Sequence, residues 1–90
     1  MIDRWCIRVS GRVQGVFFRA SAQAAALEMD IKGFVRNEPD GTVYTEAEGA
    51  AGNLERFLEW CSHGPEHAKV QDVQVTKADP IEFTSFEITY

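Results

Sequence analysis

Ninety residues, 44 % of them apolar and 26 % charged, hold enough material for one hydrophobic core and predict a single domain over residues 1–90. A formal net charge of −5 argues against a nucleic-acid partner, whose phosphates call for a basic surface. No apolar run is long enough to span a bilayer, and Asp3 and Arg4 interrupt the start where a signal peptide needs an apolar stretch, so a cytoplasmic protein with no membrane partner is expected.

The charge is unevenly spread. Residues 1–37 carry six Lys/Arg against three acids, whereas residues 38–90 carry three against eleven. The local excess of arginine fits a small anionic ligand near the beginning of the chain. Cys6 and Cys61 form no CxxC pair and no cluster with ligand spacing, so both are expected to be free thiols and no metal site is expected.

Trp5, Ile7 and Val9 alternate with polar neighbours, which predicts a strand with one buried face. The stretch Ser10 to Arg19 follows. Its glycines, Gly11 and Gly15, let the backbone turn tightly and present N–H groups unobstructed by side chains. It runs directly into an alanine-rich helical segment ending near Met29, with apolar positions at Phe18, Ala22, Ala25 or Ala26, and Met29. The first N–H groups of a helix lack intrahelical partners, and its dipole is positive there. Arg19 adds a full charge and a planar fork of five donors. Together these describe a cradle for an oxyanion, most naturally phosphate. The Walker pattern is absent, since no Lys-Ser or Lys-Thr follows Gly15 at the required spacing.

Ile31–Asn37 and Thr42–Glu48 read as two strands joined by a turn at Glu38-Pro39-Asp40-Gly41. Gly49 to Asn53 is expected to break the pattern. Leu54, Phe57, Leu58 and Cys61 then recur at helical spacing, and His63-Gly64-Pro65 ends that helix. Val70–Lys77 is a strand, Ala78–Thr84 a loop, and Phe86, Ile88 and Tyr90 alternate in a short last strand. The fold class predicted is α+β: a ferredoxin-like βαββαβ sandwich, two helices packed on one face of an antiparallel sheet, with an extra short C-terminal strand. In that arrangement the end of the second strand, at Asn37, approaches the first loop if the first two strands run in related directions. Asn37 then either flanks the turn or orients a water beside a bound anion.

Two stretches carry a family resemblance. Gly11-Arg12-Val13-Gln14-Gly15-Val16-Phe17-Phe18-Arg19 resembles one signature of the acylphosphatases, and Gly33-Phe34-Val35-Arg36-Asn37-Glu38-Pro39-Asp40-Gly41-Thr42-Val43 resembles the other. Gly64-Pro65, Ala68-Lys69-Val70 and Phe86-Glu87-Ile88 also match, so the resemblance covers essentially the whole chain. It implies metal-independent and cofactor-free hydrolysis of a small acyl phosphate to a carboxylate and phosphate. Carried over by position, Arg19 is implied as the phosphate-binding arginine and Asn37 as the residue holding the attacking water. The backbone N–H groups of Gln14, Gly15, Val16, Phe17 and Phe18 are implied as the phosphate cradle. The chain departs from the family habit at Phe34, at Ala20-Ser21, and at Glu38, where a small polar residue is frequent and where a different local charge is therefore expected.

Other readings are weaker. Cys6 and Arg12 have the spacing of a cysteine-dependent phosphatase, but Cys6 falls inside a predicted strand rather than facing a loop. A ferredoxin-like binding module would need Arg19 but not Asn37. Carbamoyl phosphate is the alternative substrate, as in acylphosphatase-like domains of larger maturation proteins. His63 and His67 have no partner at ligand spacing. The polar face formed by Arg8, Thr42, Tyr44 and Glu46 favours a monomer.

Overall fold

A computed structural model describes residues 1–90, in which strand β1 (Asp3–Arg12) leads through a loop to helix α1 (Phe18–Glu28). Strands β2 (Lys32–Asn37) and β3 (Val43–Gly49) form a hairpin, helix α2 (Ala51–His63) follows, and β4 (Lys69–Ala78) and β5 (Phe86–Ile88) complete the chain. The strand order is β4-β1-β3-β2-β5. Strand β3 is antiparallel to both β1 and β2, so β1 and β2 run in the same direction and end on the same edge. The loop after β1 and the turn after β2 are thereby neighbours, the condition that brings Asn37 towards the loop.

The expected ferredoxin-like sandwich is present, with one refinement. The sheet is antiparallel over β4-β1-β3-β2, whereas β5 joins parallel to β2 and makes the sheet mixed. The cause is the connection over residues 79–85. It crosses from one edge of the sheet to the other instead of turning back as a hairpin. Strand β5 still runs opposite to β4, but its neighbour at the far edge is β2, which runs the same way as β5, so that pairing is parallel.

The buried faces follow the alternation of the sequence. Ile7 and Val9 of β1, Val35 of β2, and Val43, Thr45 and Ala47 of β3 point to the helices and are fully buried. Against them lie Phe18, Ala22, Ala25 and Ala26 of α1 and Leu54, Phe57 and Cys61 of α2. Alanine on the inner face of α1 lets that helix approach the sheet closely, and a run of alanines also favours the helix itself. Helix α2 starts at Ala51, so the expected break over Gly49–Asn53 is confined to its beginning. The Leu54 N–H already donates to the Ala50 carbonyl at 2.9 Å, and burial of Leu54 holds that turn. The last strand ends at Ile88, and the Tyr90 ring stands in solvent instead of continuing the alternation.

The sheet face away from the helices is polar. Arg4 pairs with Glu46 at 2.5 Å, and Arg36 lies between the rings of Phe34 and Tyr44, 5.5 and 5.0 Å from their centroids.

Candidate active site

The loop between β1 and α1 is pinned by apolar side chains and kept open by its backbone. Val13, Val16 and Phe18 are all buried in the main core. Phe18 packs on Trp60 of α2 with ring centroids 5.2 Å apart. Between these anchors the backbone takes left-handed conformations at Gly15 (φ 73°) and Phe17 (φ 64°), with Val16 between them. Alternation of hand turns successive N–H groups to one side and makes a concave nest suited to an anion. Gly15 accepts this at no steric cost. Phe17 does not, and a bulky side chain there costs roughly 1–3 kcal/mol. Burial of Phe18 alone contributes roughly 2–3 kcal/mol, and the two valines add to it, so packing outweighs the strain. The nest is held in shape before any ligand arrives.

Helix α1 begins inside this nest. Phe17 occupies its N-cap position without a side-chain cap, and no acidic residue lies in its first turn. The leading N–H groups and the positive end of the dipole are consequently free of internal competition. The loop end nearer the sheet is fixed by close approach. A Cβ on Gly11 would sit 2.2 Å from the Lys69 carbonyl oxygen, where β1 pairs with β4 across a register shift.

Gly15, Phe17, Arg19, Ala20, Asn37, Ile88 and Tyr90 line one cavity of about 310 Å³. Arg19 comes from the first turn of α1, Asn37 from the end of β2, and Ile88 from the end of β5. The Arg19 guanidinium donates to the Thr89 carbonyl at 3.5 Å and lies 4.8 Å from the Tyr90 ring centroid. The Thr89 N–H in turn donates to the Val35 carbonyl at 2.9 Å, two residues before Asn37. Strand β5 therefore serves as a spacer between the arginine and the asparagine. Gln23 reinforces it by donating to the Phe86 carbonyl at 3.0 Å. The ion pairs of the protein involve Arg4, Arg8, Lys32 and Arg36, and the Arg19 charge is left to the cavity.

Sequence reasoning assigned Gln14 only a backbone role. Its side chain does more: the carboxamide donates to the carbonyls of Glu38 and Thr42 at 2.8 and 2.9 Å. It ties the loop to the β2–β3 turn directly beside Asn37. That turn is also stiffened by Asp40, which accepts hydrogen bonds from the Thr42 hydroxyl and N–H at 2.7 and 3.0 Å. Those bonds hold the Asp40 carboxyl below its ordinary pKa. Glu38 adds no negative charge to the cavity lining. Its carboxylate faces Arg36 at 3.4 Å and Arg8 at 3.7 Å.

The competing candidates lie elsewhere. Cys6 sits within β1 opposite Glu46 and Thr76, and Cys61 is buried, where loss of solvent pushes its thiol pKa well up. Both are free, as expected. His63 and His67 are exposed, and the His63 ring contacts the Glu59 carbonyl of its own helix at 2.9 Å.

Fold and cavity together define a ferredoxin-like α+β protein with a cationic loop site at one end of its sheet. The family model described as Acylphosphatase matches residues 5–88. An acylphosphatase of Marinobacter nauticus is 46 % identical over 90 residues, covering 99 % of this chain and 98 % of its own. The acylphosphatase structure from Bacillus subtilis superposes with a TM-score of 0.94 at 38 % identity, each chain covered completely. One from Coxiella burnetii superposes with a TM-score of 0.95 at 32 % identity, over 98 % of this chain and 93 % of that one. The chain belongs to the acylphosphatase family, and its activity is hydrolysis of the carboxyl–phosphate bond of acyl phosphates.

Proposed function

We propose that the phosphate of the substrate is held by the backbone N–H groups of Gln14, Gly15, Val16, Phe17 and Phe18 together with the Arg19 guanidinium, and that Asn37 orients the attacking water. The observation that carries this reading is the convergence of Gly15, Arg19 and Asn37 on one cavity from three separate elements. The water oxygen forms a bond to phosphorus while the bond from phosphorus to the acyl oxygen breaks. The electron pair leaves with the carboxylate, and the water proton passes to a phosphate oxygen. A carboxylate is a weak base and needs no protonation to leave. The requirements that remain are stabilisation of charge on the equatorial oxygens and in-line placement of the nucleophile. Preorganised donors meet the first and Asn37 the second.

The same reading takes residues 1–90 as one domain acting as a cytoplasmic monomer on a small molecule. No helix is long and apolar enough to cross a membrane. The polar side chains on the open sheet face are engaged with one another, as in Arg4–Glu46 and Arg36–Glu38, which supports the monomer.

The test is hydrolysis of benzoyl phosphate in excess EDTA by wild type, Asn37→Ala and Arg19→Ala, each checked for folding by circular dichroism. Arg19→Ala is expected to lose about 10³-fold in kcat/KM, by analogy with a charge-stabilising arginine in phosphoryl transfer. Asn37→Ala is expected to lose at least about 10²-fold, the cost of an unpositioned nucleophile. A folded Asn37→Ala protein with wild-type rate would overturn the water-positioning role.

A further inference from the structure

The polar end of the cavity is Gly15, Arg19 and Asn37, and the rest of its lining, Phe17, Ala20, Ile88 and Tyr90, is apolar but for the Tyr90 hydroxyl. Two of these are large rings held in water. Phe17 is 80 % exposed and Tyr90 98 % exposed. The Phe17 ring is turned outward by a left-handed backbone that a bulky residue adopts only under constraint. The Tyr90 ring centroid lies 4.8 Å from the guanidinium carbon of the arginine of the same cavity. Apolar surface left in solvent at the mouth of a charged cavity is what an apolar ligand group would cover.

We propose that this rim is the subsite for the acyl group and that Phe17 and Tyr90 are its specificity-determining residues, selecting acyl phosphates with an aromatic or bulky apolar acyl group. The proposal rests on the reading of the cavity as the acyl phosphate site. With the phosphate in the nest, the acyl group extends into the remainder of the same cavity, whose lining includes both rings. An aryl group there can pack against either ring. Apart from the Tyr90 hydroxyl the rim presents no polar side chain to the amide of a carbamoyl group, and an acetyl group leaves both rings wet. The cavity volume of about 310 Å³ lies at the small end of ligand sites, which suits a monocyclic acyl phosphate. Covering the rim also removes water from around Arg19 and strengthens its hold on the phosphate.

The experiment compares kcat/KM for benzoyl, acetyl and carbamoyl phosphate in wild type, Phe17→Gly and Tyr90→Ala. Glycine keeps the N–H at position 17 and accepts the left-handed conformation, so the ring alone is removed. The intrinsic reactivity of each substrate cancels when the benzoyl-to-acetyl ratio of a variant is divided by that of wild type. That ratio is expected to fall about tenfold in each variant, the discrimination an apolar contact supplies, and mainly through KM for benzoyl phosphate. Ratios within about twofold of wild type in both folded variants would overturn the subsite while leaving the activity in place. Failure of wild type to hydrolyse any of the three would overturn the reading of the cavity and the subsite with it. A measurement on wild type alone stands beside these. Benzoylphosphonate is expected to inhibit at least about tenfold more tightly than acetylphosphonate, and equal inhibition would refute the proposal.

Discussion

Glu48 is the residue whose removal tests the folding argument most sharply. It lies near the end of β3, is 3 % exposed, and sits at the end of the sheet opposite the cavity. The connection from β4 to β5 must cross that end over β1, β3 and β2 without secondary structure of its own. Its backbone N–H groups have no ladder to join. The Glu48 carboxylate collects three of them, accepting from Ile81, from Glu82 at 3.0 Å and from Phe83 at 2.7 Å. Burial alone would raise the Glu48 pKa, but these bonds and the nearby Arg4 charge more than offset it and leave the carboxyl below its ordinary value. Glu48→Gln keeps the shape but substitutes an amide N–H₂ for one acceptor, facing donors with donors. The loss of charge-assisted bonds to two or three N–H groups is expected to cost about 2–4 kcal/mol. For a domain of this size that is a fall in Tm of roughly 10–25 °C. The folded-state pKa is below the unfolded one, so the unfolded chain binds more protons in acid. The stability Glu48 contributes is complete above the unfolded carboxyl pKa and is lost as pH falls through the folded value. The gap between wild type and Glu48→Gln should therefore be constant well above the ordinary glutamate pKa, begin to narrow as pH approaches it, and go on narrowing as pH falls through the lower folded value. Urea unfolding followed by the fluorescence of Trp5 and Trp60 measures it. A Gln variant within about 0.5 kcal/mol of wild type at pH 6, or a gap that does not close in acid, would refute the tether.

Two further substitutions probe the loop. Gln14→Ala removes both bonds to the β2–β3 turn and should cost about 1–2 kcal/mol of stability. Its larger effect is on positioning, a fall in kcat of about tenfold or more with the cavity chemistry otherwise intact, read from steady-state hydrolysis beside thermal melts. Gly11→Ala sets a methyl group 2.2 Å from the Lys69 carbonyl at φ 118°, so a loss of at least about 3 kcal/mol is expected in urea unfolding, and a neutral result would contradict the close approach at the β1–β4 shift.

The architecture was legible because its periods are clean. Trp5-Ile7-Val9 and Val43-Thr45-Ala47 alternate, and Phe18-Ala22-Ala26 and Leu54-Phe57-Cys61 keep helical spacing, so faces could be assigned before strands were paired. That Arg19 and Asn37 would meet was legible for another reason: they lie in short stretches whose order along the chain survives into space once β1 and β2 point the same way. What escaped was non-local. A buried carboxylate such as Glu48 looks like any strand glutamate until the chain that crosses it is placed. Which edge β5 joins depends on a connection with no periodicity. The left-handed conformation of Phe17 has no local signal, since nothing in a phenylalanine favours φ above zero; it is imposed by the burial of Val16 and Phe18 on either side. The Gln14 bridge likewise depends on a turn that lies 24 residues further on at Glu38.

The Gln14 bridge and the Phe17 conformation, unlike Glu48, bear on the cavity. The cavity places its polar groups through contacts made away from it: Phe18 against Trp60, Gln14 across to the turn, and Thr89 between Val35 and Arg19. Such an arrangement suits a reaction in which the leaving carboxylate needs no acid. With no proton to supply to it, the remaining barrier is set by geometry and by charge. Both are sensitive to displacements of about 1 Å, and fixed backbone N–H groups meet that demand better than side chains free to rotate. The strain at Phe17 belongs to the same logic. It accompanies the left-handed turns at Gly15 and Phe17, and its cost falls on a single residue whose ring is left standing at the rim.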